Sequence, residues 1–195
     1  MANDKSKVTT GKPLATGGVL VAPRGTALPA KGTAPTGDVV LDKAFIAIGY
    51  VDSDDGYKQS EDNSTTDITA WGGDTVLTVV TTHKETHSFT PIEQNINVWR
   101  LRYGTANVTG ADGAAVVRHN RSAFDEHWSV IVAEQLADGR VCLHVVPDAK
   151  LDEVDDEEHS DDAASRYPMT FVGLPDEDGD TSYDVYYTPT SSKGE

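Results

Sequence analysis

Bulky apolar residues fall in short runs along this chain, most of them bounded by glycine, proline or acidic turn residues. Asp42 to Asp52 carries Phe45, Ile46, Ile48, Tyr50 and Val51, with Gly49 as a place for a bulge, and predicts the first core strand. Trp128 to Ala133, a turn at Asp138-Gly139 and Arg140 to Val146 predict a hairpin, and Met169 to Leu174 and Ser182 to Thr188 two further strands. One helix is predicted over about residues 91–103. Thr90-Pro91-Ile92-Glu93 reads as a capping box with proline at the first helical position, Ile92, Ile96, Trp99 and Tyr103 recur at helical spacing, and Gly104 supplies the stop. Arg100 and Arg102 would complement the carbonyl end of its dipole.

Two stretches break this rhythm. Ser53 to Asp74 is polar and rich in carboxylates, longer than most connections in a compact domain, and predicts a long acidic loop over 53–74. Thr75 to Ser88 begins apolar on both faces (Val76, Leu77, Val79, Val80) and then turns polar from Thr81 onward. A strand half with no apolar face is expected to leave its own core for solvent, a cavity or a neighbouring subunit. His83 and His87 share a strand face and read as solvated rather than as a metal pair.

Residues 1–37 are rich in Gly, Pro, Thr, Ala and Lys and cannot build a core by themselves. They read as an extended N-terminal arm that orders on contact through Val19-Leu20-Val21, or equally as a flexible leader. The predicted core strands and helix all lie beyond it, so its removal is expected to leave a folded subunit. The organisation is then an arm over 1–37, one β domain over 38–188 and a C-terminal tail over 189–195.

Composition narrows the class. A chain of 195 residues with 37% apolar side chains, 17 glycines and 9 prolines suits a single mainly β domain with extensions. The net charge is −16, with residues 1–37 at +4 and the remainder at −20. So acidic a surface repels phosphate and disfavours nucleic acid as an ordinary ligand; salt tolerance or simple solubility accounts for it equally well. Cys142, the only cysteine, lies in an apolar run and reads as a buried inert thiol, with no disulfide and no multi-thiolate metal cluster possible. Phosphate-cradling glycine loops, zinc-protease helices and nucleophile elbows are missing, so no catalytic residue, cofactor or metal is expected. Asp176 to Asp180 has calcium-like oxygens but not the twelve-residue ligand pattern, and reads as a solvated turn. With no export-signal pattern near Met1, assembly in the cytoplasm is expected.

Four stretches together carry a resemblance: Gly18 to Thr26, Ala44 to Val51, Asp67 to Asp74, and Phe89 to Gly104 with Asn107-Val108-Thr109 behind it. In order and spacing they resemble the major tail tube proteins of long, non-contractile phage tails, particularly those of actinobacterial phages. The resemblance implies a β-sandwich or barrel-like fold with one flanking helix, hexameric rings stacked into a tube, and a lumen that passes viral DNA without specific binding. It also implies contacts with a tape measure protein, a tail terminator and tail tip proteins. Some relatives add an immunoglobulin-like domain, for which the residues after 188 are too few.

Within that frame, Trp71, Gly72, Gly73 and Asp74 are expected at an inter-subunit contact, the alternative being that Trp71 folds back on its own core. Val19, Leu20 and Val21 are expected to dock the basic arm on an acidic neighbour. Other virion components, such as a tail terminator or capsid accessory protein, and a calcium- or sugar-binding β-sandwich are the alternative functions.

Overall fold

The computed structural model describes residues 3–15 and 18–190; most of the expected C-terminal tail, 191–195, lies outside them. Among the described residues the chain is mainly β and antiparallel throughout, with a β-sandwich-like arrangement and one α-helix. The strands are β1 (Gly11–Pro13), β2 (Val19–Pro23), β3 (Ile46–Ala47), β4 (Tyr57–Thr69), β5 (Thr75–Phe89), β6 (Val108–Ala111), β7 (Ala114–Val117), β8 (His127–Leu136), β9 (Val141–Val154), β10 (Met169–Gly173) and β11 (Tyr183–Tyr187). The helix α1 spans Ile96–Tyr103. The main sheet runs β3-β2-β8-β9-β10-β5-β4, with β1 also on β8 and β11 also on β9, while β6 and β7 form a separate small hairpin.

The β8–β9 hairpin is the centre, and its turn is the one expected: Gly139 takes φ of 87°, a left-handed angle that glycine adopts without a Cβ penalty. Alternation puts Val130 and Val132 on one face and Ile131 and Ala133 on the other, and both faces are buried. The first face packs with Val98 and Leu101 of α1, Phe89, Phe171 and Ile48. The second, extended by Val141, Leu143 and Val145, is covered by Leu14, Leu28, Val39, Leu41 and Phe45.

This placement corrects the reading of residues 1–37. Val19 and Val21 are only 2% exposed and belong to the first core cluster, and Leu20 packs against the second. The patch therefore completes its own subunit's core, because β2 pairs with β8 from Val19↔Val132 to Pro23↔Trp128. Arg24 and Lys31, two of the arm's basic side chains, also meet acidic partners within the chain. Arg24 Nε lies 3.0 Å from Asp148, and Lys31 Nζ reaches Asp176, Asp178 and Asp180 at 2.6, 2.6 and 3.0 Å. The turn with calcium-like oxygens is thus filled by an ammonium group, whose pKa those carboxylates raise.

The helix begins later than expected and buries another face. Thr90 to Glu93 is extended because tertiary partners take its polar groups: Asp52 N–H donates to Thr90 O, Ile92 N–H to Tyr50 O, and Tyr50 N–H to Glu93 Oε1. Asn95 is the cap instead, its side-chain oxygen accepting from the N–H groups of Asn97 and Val98 at 3.0 Å each. Val98, Leu101 and Arg102 form the buried side, while Ile96, Trp99 and Tyr103 are half-buried. Gly104 ends the helix as expected. Arg102 is more than a dipole complement, since it donates to Pro168 O and Asp155 O and pairs with Glu157. The strand expected over 42–52 shrinks to β3 and a bridge at Val51, because Asp42 accepts from Ala44 and Phe45 N–H in a turn and Gly49 has φ of 96°.

Candidate assembly surface

The expected acidic loop over 53–74 is instead a strand. β4, of 13 residues, pairs with the 15-residue β5 from Tyr57↔Phe89 to Thr69↔Thr75 in a long hairpin. Alternating Ser, Thr, Asn and Asp conceal this in the sequence. Ile68 is the only large aliphatic residue in β4, so the usual apolar signal is absent.

Only the base of the hairpin belongs to the subunit's body. β10 pairs with β5 between Glu85 and Phe89, and residues 58–84 are exposed throughout. At 3.4 Å per residue, the ten residues Thr75 to Lys84 carry the hairpin about 30 Å outward. The two halves of β5 are thus arranged opposite to expectation: the polar half enters the sheet and the apolar half leaves it. Ile68, Leu77 and Val79 share one exposed face of the projection, and Val76 and Val80 are exposed as well. Beyond Glu85 both outer edges of the hairpin lack strand partners among the described residues.

At the tip, Ala70 N–H donates to Asp74 O at 2.8 Å and Gly73 N–H to Ala70 O at 3.0 Å. Gly72 and Gly73 take φ of 128° and 96° with open space where a Cβ would stand. Trp71 is fully exposed, so it does not fold back on its own core. The structure thus brings Trp71, Gly72, Gly73 and Asp74 together at the extremity, far in character from the buried Val19, Leu20 and Val21.

The hairpin base is held by a buried polar cluster that the sequence pattern concealed. Glu85, 3% exposed, accepts from Gln59, Thr181 and Ser182, and Tyr57 Oη lies 2.8 Å from His87 Nδ1. Burial alone would raise the Glu85 pKa, but these hydrogen bonds and nearby His87 outweigh it and lower it. Burial lowers His87. His83, by contrast, meets Asn63 Oδ1 on the exposed part, whereas His87 is buried at the base. Lys84 to Asp152, at 2.6 Å, closes the base on the outside.

A protruding two-stranded ribbon with apolar side chains on both faces and two open edges is marginal in water alone and needs a partner. The family described as phage tail tube protein matches residues 1–190. The chain belongs to that family. This tail tube protein is a structural subunit of a phage tail and a virion component, built to assemble with itself and with other tail parts. No curated protein matches it at significant similarity. Among the described residues, no helix of the tail tube protein is long and apolar enough to cross a membrane.

Proposed function

We propose that the subunit builds the tube by giving its β4–β5 hairpin to neighbouring copies. In hexameric rings the hairpins pair edge to edge into a continuous inner sheet, and the tip with Trp71, Gly72, Gly73 and Asp74 reaches the adjacent ring. Closing the sheet into a barrel removes the open edges and covers the apolar faces. The carrying observation is the continuous exposure of residues 58–84 on both strands of one hairpin.

The resulting conduit serves genome delivery. Glu61, Asp62, Asp67 and Asp74 outnumber Lys58 and Lys84 on the exposed hairpin. Duplex DNA carries one negative charge per roughly 1.7 Å of axis, so a wall of the same sign offers the passing molecule few places to stick. Tape measure, terminator and tip proteins would meet the tube's interior and ends, with assembly in the host cytoplasm and no catalytic step. The test replaces residues 62–84 with Asn-Gly. Negative-stain microscopy should show rings or tubes for the full chain and none for the shortened one, while circular dichroism keeps the β signal; tubes from the shortened chain would overturn the proposal.

A further inference from the structure

On the face of the sheet beside the hairpin base, three adjacent strands converge chemistry that tube building does not use. Glu134 of β8 pairs directly with Cys142 of β9, Cys142 with Tyr186 of β11, and His144 with Asp184. Period-2 geometry puts these side chains on one face. Ligand-capable atoms of Cys142, His144 and Asp184 all lie within 4.8 Å of one another. A cavity of about 340 Å³ opens on the group, lined by Glu134, Cys142, His144 and Tyr186.

The two imidazole nitrogens have different tasks. Nδ1 lies 2.7 Å from Asp184 Oδ1, a tight hydrogen bond that directs the other nitrogen into the cavity. Nε2 lies 3.6 Å from Cys142 Sγ and 3.7 Å from Glu134 Oε2. A tetrahedral zinc ion with its usual bond lengths separates sulfur from nitrogen by about 3.6 Å and nitrogen from oxygen by about 3.4 Å. The sulfur and nitrogen are therefore already at ligand separation, whereas the Glu134 carboxylate, near the nitrogen but outside the group that holds the sulfur, has to swing toward Cys142 to join them. Gly11 leaves the space that this carboxylate occupies, since a Cβ there would collide with it. Arg140 also lines the cavity, but Asp138 holds its guanidinium at 2.7 Å.

We propose that Cys142 Sγ, His144 Nε2 and Glu134 Oε2 bind a zinc ion, with Asp184 as the residue that orients His144 and with the cavity supplying a fourth, water-filled position. The donor set of one thiolate, one imidazole and one carboxylate suits zinc and cobalt rather than calcium or magnesium. A bound ion ties β8 to β9 beside the Tyr57 ring, whose centre is 5.2 Å from that of His144.

Titration of the purified full chain with Co²⁺ alone, followed by Zn²⁺ competition, tests this. One equivalent should produce a thiolate-to-cobalt absorption band in the near ultraviolet that Zn²⁺ abolishes. C142S and H144A should lose the band, with unchanged circular dichroism confirming their fold. D184N should keep it and weaken binding by about 10–100-fold, the usual effect of removing an orienting partner. Absence of the band in the unaltered chain, or its persistence in folded C142S, would overturn the site; complete loss in folded D184N would overturn the orienting role of Asp184.

Discussion

The subunit contains two long hairpins, and their contrast is instructive. β8–β9 carries Val130, Ile131, Val132 and Ala133 and is buried on both faces; the projecting part of β4–β5 carries Val76, Leu77, Val79 and Val80 and is exposed on both. The apolar runs are alike in length and composition. What differs is cover: side chains of α1 and of β10, the strand beside β9, pack on one face of β8–β9 and the extended N-terminal segment covers the other, whereas nothing among the described residues covers the projecting part of β4–β5. An apolar run thus records that a segment will be covered, not by which molecule.

That contrast is broken most severely by removing the cover of β8–β9. Deleting residues 1–37 takes away β1, β2 and the buried Val19, Val21 and Ala22, so the truncated chain is expected to lose its cooperative thermal transition in circular dichroism; a retained sharp transition would refute the core role assigned to β2. Phe171→Ala is smaller in scope. Phe171 is fully buried and stacks on Phe89 at 5.5 Å, and the change should destabilise the subunit by about 3–5 kcal/mol in urea denaturation without altering the hairpin tip.

Glu85→Gln sharpens the comparison at the joint between body and projection. It should lower stability by about 1–3 kcal/mol at neutral pH, since buried donors from Thr181 and Ser182 lose a charged acceptor. Because the Glu85 pKa is lowered on folding, its contribution is present above the ordinary value of 4.5 and lost as pH falls below it. Denaturation midpoints measured from pH 6 to pH 3 should therefore fall less steeply in the variant than in the unaltered protein. Equal slopes would contradict the buried carboxylate cluster.

The smallest expected effect on the subunit is that of Trp71→Ala. A fully exposed side chain contributes little, so thermal unfolding of the monomer should change by no more than about 0.5 kcal/mol. Tube length in micrographs should fall all the same. A lowered subunit melting temperature with unchanged tubes would place Trp71 on the wrong side of the comparison.

How much was legible follows from what each segment depends on. The β8–β9 turn at Asp138-Gly139, strands β10 and β11 and the helix stop at Gly104 could be read directly, because glycine angles and clusters of β-branched and aromatic residues act within a few residues of themselves. The assignment to the tail tube family was likewise legible in the ordered spacing of several stretches between Gly18 and Thr109. Partnership at long range was not. β4 has almost no apolar signal and becomes a strand through its register with β5, and Thr90 gives its hydroxyl to Asp55 instead of capping a helix. Glu85 and His87 look solvated along the chain, yet pairing with β10 carries them inside, where Thr181, Ser182, Gln59 and Tyr57 offset the loss of water. Local chemistry along the chain sets the β8–β9 turn, strands β10 and β11 and the helix stop. That β4 is a strand, and which half of β5 lies inside, follows from the fold, because both depend on neighbours that are distant in sequence.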